Sequence, residues 1–312
     1  MFDPNNRKSF STHSGSPSWR RWAGRIVVSF VALVLVAGAG AFSLWWSWHR
    51  DGAAIRMVQR CGGKVDTTTV GPKWLQVMLC KRWGFLLERA GPACNLMHSA
   101  VTDADLSALK DLKGLQVLIL WGTQVTDAGL EDLKSLKGLH ALDLTGTRVT
   151  DVGLEHLKEL KGLQRLDVGD TRVTDAGLEH LKDLKGLQTM DLEGTQVTDA
   201  GLEHLKELKG LQRLGLGGTR VTDAGLENLK ELKGLQVLEL WGTRVTDAGL
   251  EHLKNLKGLQ WLDIQATQVT DAGLEQLKEL KGLQVLKLWN TQVTDAGIEA
   301  LKRALPGCRI YR

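Results

Sequence analysis

The sequence predicts an α/β solenoid, a parallel strand ladder on the concave face with helices on the convex face, preceded by one N-terminal transmembrane helix. Three observations predict it. From Val101 the chain repeats itself every 24 residues, with copies opening at Val101, Val125, Val149, Val173, Val197, Val221, Val245 and Val269 and a shortened ninth at Val293. A fixed period in the twenties means stacked units, because one unit cannot bury its own apolar faces and its neighbours can. Within each unit the leucine spacing changes from period two to a helical period, so each contributes one strand and one helix. Finally, residues 26–49 hold no Asp, Glu, Lys or Arg, a run long enough to cross ~30 Å of hydrocarbon as a helix.

One stretch carries the local logic. In Leu211-Gln212-Arg213-Leu214-Gly215-Leu216, Leu214 and Leu216 alternate with Arg213 and Gly215, the pattern of a strand with one buried face. Gly217-Gly218-Thr219 ends that strand, and Thr222 or Asp223 is the expected N-cap of the next helix. The helix is expected to run for roughly ten residues, burying Leu226, Leu229 and Leu232 and exposing Glu227, Lys230 and Glu231. Gly234 stands where a helix C-terminal glycine belongs. Thr123, Thr147, Thr171, Thr195, Thr219, Thr243, Thr267 and Thr291 form a column whose hydroxyls are expected to satisfy turn amides of the neighbouring coil. The unit L-x-x-L-x-L-x-x-T-x-V, as in Leu211, Leu214, Leu216, Thr219 and Val221, resembles a leucine-rich repeat, with Thr where many such repeats carry Asn or Cys.

Ahead of the repeats the chain divides further. Residues 1–25 are polar and carry Arg7, Lys8, Arg20, Arg21 and Arg25 against one acid, Asp3, as a disordered basic tail would. Residues 26–49 follow as the anchor, with Trp19 and Trp22 before the span and Trp45, Trp46 and Trp48 at its far end, like aromatic belts at two membrane interfaces. A cleaved signal peptide is the rival reading, with cleavage after Ala39 or Ala41 releasing a secreted domain. The continuing Leu44-Trp45-Trp46 favours the uncleaved anchor. Arg20, Arg21 and Arg25 put the N-terminus in the cytoplasm and the repeats outside it, although Arg50, Arg56, Arg60 and Lys64 on the far flank make the asymmetry modest.

Residues 50–100 form a linker and N-terminal cap without the period, 101–292 hold eight repeats, and 293–312 a partial repeat and C-terminal cap. Ala54-Ile55, Gly62-Gly63-Lys64-Val65 and Pro72-Lys73-Trp74-Leu75 resemble the N-terminal cap of large bacterial leucine-rich-repeat proteins, notably those of planctomycetes. Leu305-Pro306-Gly307-Cys308-Arg309-Ile310 is similar to that family's terminus, and the resemblance spans residues 53–312. It implies that the cap covers the open apolar end of the first coil. Cys94-Asn95-Leu96 aligns with Leu118-Ile119-Leu120 as a degenerate zeroth strand, and Ile310 falls where each repeat has its strand leucine. Eight rungs at ~4.8 Å put Cys308 roughly 40 Å from Cys61, Cys80 and Cys94. Export would allow one disulfide within the cap, most simply Cys61–Cys80. Cys94-x-x-x-His98 has ligand-like spacing, but no metal site is assigned.

Against an invariant frame, the differences between repeats concentrate at strand positions pointing away from the core. Before the middle strand leucine come Val117, Ala141, Arg165, Thr189, Arg213, Val237, Trp261 and Val285; after it come Ile119, Asp143, Asp167, Asp191, Gly215, Glu239, Asp263 and Lys287. Two residues further on stand Trp121, Thr145, Gly169, Glu193, Gly217, Trp241, Gln265 and Trp289. Trp241, Trp261 and Trp289 fall in three successive coils with Glu239, Asp263 and Lys287 interleaved, the composition of an interface hot spot. The alternative is that each indole covers a neighbouring Gly or Leu edge. Trp121 stands alone in its stretch. Asp143, Asp167 and Asp191 stack like charges on adjacent rungs, which is unfavourable without compensation. Arg165 beside them, with Arg148 and Arg172 at the strand ends, would form a surface ion network; a cation such as Ca²⁺ or a basic peptide are the other candidates. His156, His180, His204 and His252 recur on an outer helical face and are expected to be solvated.

These features point to a non-enzymatic, membrane-anchored scaffold that binds a protein or peptide on its concave face. Its contact residues would be Trp121, Trp241, Trp261, Trp289, Arg165, Arg213, Asp143, Asp167, Asp191, Glu239, Asp263 and Lys287. No G-x-S-x-G, P-loop, H-E-x-x-H or Rossmann glycine pattern is present, so no cofactor is expected. The net charge of +4 is too mild for a nucleic-acid footprint. A structural envelope component packed through its convex Lys/Glu helices and a carbohydrate-binding surface protein are the alternatives. The T-D-x-G-L turns also resemble those of F-box-type ubiquitin-ligase adaptors, but there is no F-box and the apolar span argues against a cytosolic role.

Overall fold

A computed structural model describes residues 56–69 and 88–312. The predicted tail, the whole of the predicted span at 26–49, the residues that follow it as far as 55, and Cys80 lie outside the described residues. Among those described, no helix is long and apolar enough to cross a membrane.

Eleven strands form one sheet in chain order: β1 Lys64–Thr69, β2 Glu88–Asn95, β3 Val117–Ile119, β4 Ala141–Asp143, β5 Arg165–Asp167, β6 Thr189–Asp191, β7 Arg213–Gly215, β8 Val237–Glu239, β9 Trp261–Asp263, β10 Val285–Lys287 and β11 Arg309–Tyr311. β1 pairs antiparallel with β2, and the ten strands β2 to β11 run parallel. The register is the sequence period itself. Cys94 lies opposite Leu118 and Ile310 opposite Leu286, so an imperfect rung flanks the full repeats at each end.

Each coil turns one leucine set inward. Leu211, Leu214, Leu216, Val221, Leu226, Leu229 and Leu232 are all fully buried, as are most of their counterparts through the stack. At the N-terminal end Met57 and Val58 join this core from a helical turn over 56–60. Gly63 lies so close that a Cβ there would come within 2.6 Å of Leu96 and 2.9 Å of Val58. Cys61, Cys94 and Cys308 are free thiols; Cys80, the other half of the bridge that export would allow, lies outside the described residues. Burial pushes the Cys94 thiol up to about 12 and the Cys308 thiol up to about 11. Cys94 faces the core while His98 is exposed against Trp121, so the two do not converge on a metal.

Three local expectations are corrected. The convex helices are shorter than expected, seven residues in Asp199–Leu205 and four in Asp223–Leu226 before a 3-10 turn. Gly234 is therefore no helix-capping glycine, and its φ is not positive. The left-handed position lies instead in the turn after each strand, where Gly122, Gly146, Gly194, Gly218 and Gly242 have φ of 64–67°. His98, Asp170, Ala266 and Asn290 hold the same turn position at 52–57°. Asn and Asp tolerate that region through their short polar side chains; Ala266 has no such help. The buried Thr column also acts differently. Each hydroxyl donates to the carbonyl three residues back in its own coil, as Thr219 does to Leu216 at 2.6 Å, so it closes the turn and does not bridge coils.

The bridging is done by aspartate. Thr222 is the N-cap, its hydroxyl accepting from the Ala224 amide at 3.4 Å. That same Thr222 donates its amide and hydroxyl to the two carboxylate oxygens of Asp199, one coil back, at 2.7 and 2.6 Å. The seam recurs from Asp103–Thr126 to Asp271–Thr294. In the last of them the Thr294 bonds hold the Asp271 carboxyl below its usual range. The glycine of each T-D-x-G turn exists for this seam: a Cβ at Gly225 would overlap the Asp199 carboxylate.

Candidate functional site

The short strands leave the three variable columns on the sheet face opposite the core. Trp121, Trp241 and Trp289 are 44%, 39% and 47% exposed, the largest indole surfaces among the described residues. Trp261 is half-buried.

Each of the four indoles leans on a different neighbour, and no ring contact joins any two of them among the described residues. Trp241 lies back over Gly217, where a Cβ would overlap its ring, and its Nε1 donates to Glu193 at 2.9 Å. Trp261 carries the Lys287 ammonium 4.9 Å from its ring centroid, and its buried Nε1 has no hydrogen-bond partner. Trp289 points the other way, edge-on to Tyr311 with centroids 6.3 Å apart. Trp121 meets His98 at 5.1 Å. Sequence reasoning did not name Glu193, Tyr311 or His98 as contact residues. The signal was present for two of them, since Glu193 and His98 sit a whole number of repeats before Trp241 and Gly122.

The acidic column is in register, Asp143 opposite Asp167 and Asp167 opposite Asp191. Asp143 and Asp191 each accept an amide two residues on, from Thr145 at 3.0 Å and Glu193 at 2.9 Å. Asp167 is only 3% exposed. Arg165 Nη2 lies 2.6 Å and Nε 2.8 Å from its Oδ2, while Oδ1 is buried without a partner. Burial raises the Asp167 carboxyl above its usual range, Arg165 opposes that rise, and Asp143 and Asp191 add to it. Arg148 and Arg172 form no ion pair among the described residues, so the expected network reduces to Arg165 alone. No group of three or more His, Cys, Asp or Glu among the described residues could hold a metal ion.

Further along, Arg213 reaches both oxygens of Glu239 at 3.0 and 2.8 Å. Burial raises Glu239 against the opposing Arg213 charge, and raises Glu193 against the Trp241 donor. Asp263, 3% exposed, is held by Lys287 at 3.1 Å and by the Gln265 amide. Across the three columns six carboxylates face three cations, so this strip is acidic on a chain of net positive charge.

A family model described as a leucine-rich repeat region matches residues 94–305. Among solved structures, internalin C2 of Listeria monocytogenes is similar with a TM-score of 0.54 at 26% identity, covering 65% of this chain and 80% of that one. A leucine-rich-repeat protein of Leptospira interrogans reaches 0.51 at 22% identity over 66% of this chain, which spans 56% of that protein. Another L. monocytogenes internalin reaches 0.50 at 18% identity, covering 76% and 86% of the two chains. The last two likenesses show the fold alone. No curated protein matches the chain. With the family model covering the whole repeat array and the ladder built as the repeats require, this chain belongs to the leucine-rich repeat family.

Proposed function

We propose that the chain is a protein-binding scaffold whose concave face takes a protein or peptide partner, held to a membrane by residues 26–49 with the repeats outside the cytoplasm. The observation that carries the binding reading is the distribution of variation. Core, seam and turn residues repeat almost unchanged, whereas the combination of outward residues on and just after the strand is different in each of the eight repeats and includes three exposed tryptophans. Exposed indoles ringed by charge supply most of the energy of many interfaces. Family membership supports a scaffold role as well.

Affinity capture with the full chain, beside a Trp121/Trp241/Trp289→Ala version with an unchanged circular-dichroism spectrum, tests the reading. A partner is expected with the native chain and lost with the variant. Recovery of the same proteins by both would move the role to the convex Lys/Glu face. For the anchor, protease added to spheroplasts is expected to digest the repeats; full protection would reverse the orientation.

A further inference from the structure

We propose that the hollow over β3 to β5 receives the side chain of a lysine from an extended basic segment of the partner. The inference rests on the concave-face reading and specifies its chemistry. The hollow measures about 220 Å³, with Val117, Ile119 and Ala141 as an apolar floor and Asp143, Arg165 and Asp167 as its charged wall. That is below the ~300–1,000 Å³ of small-molecule pockets and suits one side chain. A lysine brings what both parts require, a four-carbon stem for the floor and a compact ammonium with three donors for the wall.

Three further observations point the same way. Asp167 lines the hollow, is almost fully buried, and has one carboxylate oxygen without a hydrogen-bond partner. Its sole cation, Arg165, sits on the other oxygen, and Asp143 has no ion pair among the described residues. An unsatisfied buried carboxylate oxygen is costly, and a nearby positive charge offsets that cost. The molecule also contains the arrangement in finished form four coils on. There Lys287 places its own ammonium 3.1 Å from Asp263 and 4.9 Å from the Trp261 ring. Near the hollow the exposed Trp121 lies against Gly146, just past Asp143, and supplies the aromatic face.

The test uses the full chain in a nonionic detergent and a fluorescein-labelled peptide Ser-Lys-Ser-Lys-Ser-Lys-Ser, read by fluorescence anisotropy. Asp143→Asn keeps the acceptor for the Thr145 amide and is expected to weaken binding about tenfold, the effect of losing one close charge pair. Ala141→Leu, which fills the hollow without changing charge, is expected to weaken it comparably. Glu231→Gln on the exposed convex side removes the same charge and is expected to leave affinity unchanged. Acetylation of the lysines is expected to abolish binding. Equal weakening by Asp143→Asn and Glu231→Gln would reduce the effect to net charge and overturn the proposal. So would tight binding of the acetylated peptide, or no binding of the lysine peptide. If the lysine peptide fails while partner capture still depends on the tryptophans, the lysine pocket falls and the concave-face reading stands. If capture fails too, both fall.

Discussion

Gly225→Ala is expected to destabilise the chain by about 3 kcal/mol, the order of two hydrogen bonds to a charged group, while Gly234→Ala leaves stability unchanged or raises it. The new Cβ at Gly225 would overlap the Asp199 carboxylate and lie 3.1 Å from Leu202. A free carboxylate could swing aside. This one cannot do so without releasing the Thr222 amide and hydroxyl that it holds at 2.7 and 2.6 Å. At Gly234 a Cβ would meet carbonyls of the preceding coil only at 3.5 Å, an ordinary contact. There the lost unfolded-state entropy of glycine favours alanine by ~0.4–1 kcal/mol. Urea unfolding followed by circular dichroism checks both. Asp199→Ala combined with Gly225→Ala should cost less than the sum of the two, because both break the same seam. A Gly225→Ala chain that unfolds at the native midpoint would remove the seam from the account of stability.

Leu214→Ala is expected to cost about 3 kcal/mol, in the range for a fully buried leucine whose surroundings cannot collapse. Leu214 is fully buried between Met190 and Leu238, its partners on the flanking strands. Ile310→Ala is expected to cost nearer 1 kcal/mol, since Ile310 is only partly buried and contacts one flanking strand. Because each coil touches only its neighbours, the Leu214 loss should appear first as faster amide exchange in β6 to β8, with the end coils unaffected. Uniform acceleration throughout the repeats would mean that the stack unfolds as one unit.

The ladder was legible in the sequence because its cause, buried leucines at a fixed period, is written residue by residue. Cys94 and Ile310 could be placed on the end rungs by counting alone. Hydrogen-bond direction was not legible. Thr219 in a column suggested a link between coils, yet its hydroxyl turns to the Leu216 carbonyl of its own turn, which also accepts the Thr219 amide. Asp223 suggested a cap, yet the cap is Thr222 and the aspartate serves the next coil's Thr246. Gly234 misled because helix length was judged from the leucine spacing, and Leu232 proved to be buried from the turn beyond the helix. In the candidate site the columns were identifiable, but the lie of each indole was not. Trp241 turns toward Gly217 and Trp289 toward Tyr311 because of which neighbour lacks a side chain or offers an edge, a matter of pairs across coils.

The seam between coils has a further consequence. Its geometry is nearly the same at every joint, with the threonine amide at 2.7–2.8 Å and the hydroxyl at 2.6–2.7 Å from the aspartate behind it. Any coil's front therefore fits any other coil's back. Loss or duplication of one 24-residue unit would leave every remaining joint intact, so the frame imposes no particular number of rungs. What such a change would alter is the order of letters along the concave strip. Removing 197–220 would bring Glu239 beside Asp191 and take away Arg213, its present counter-charge. Length and recognition are thus separable properties of this chain, the first set by the seams and the second by the sequence in which distinct coils are strung.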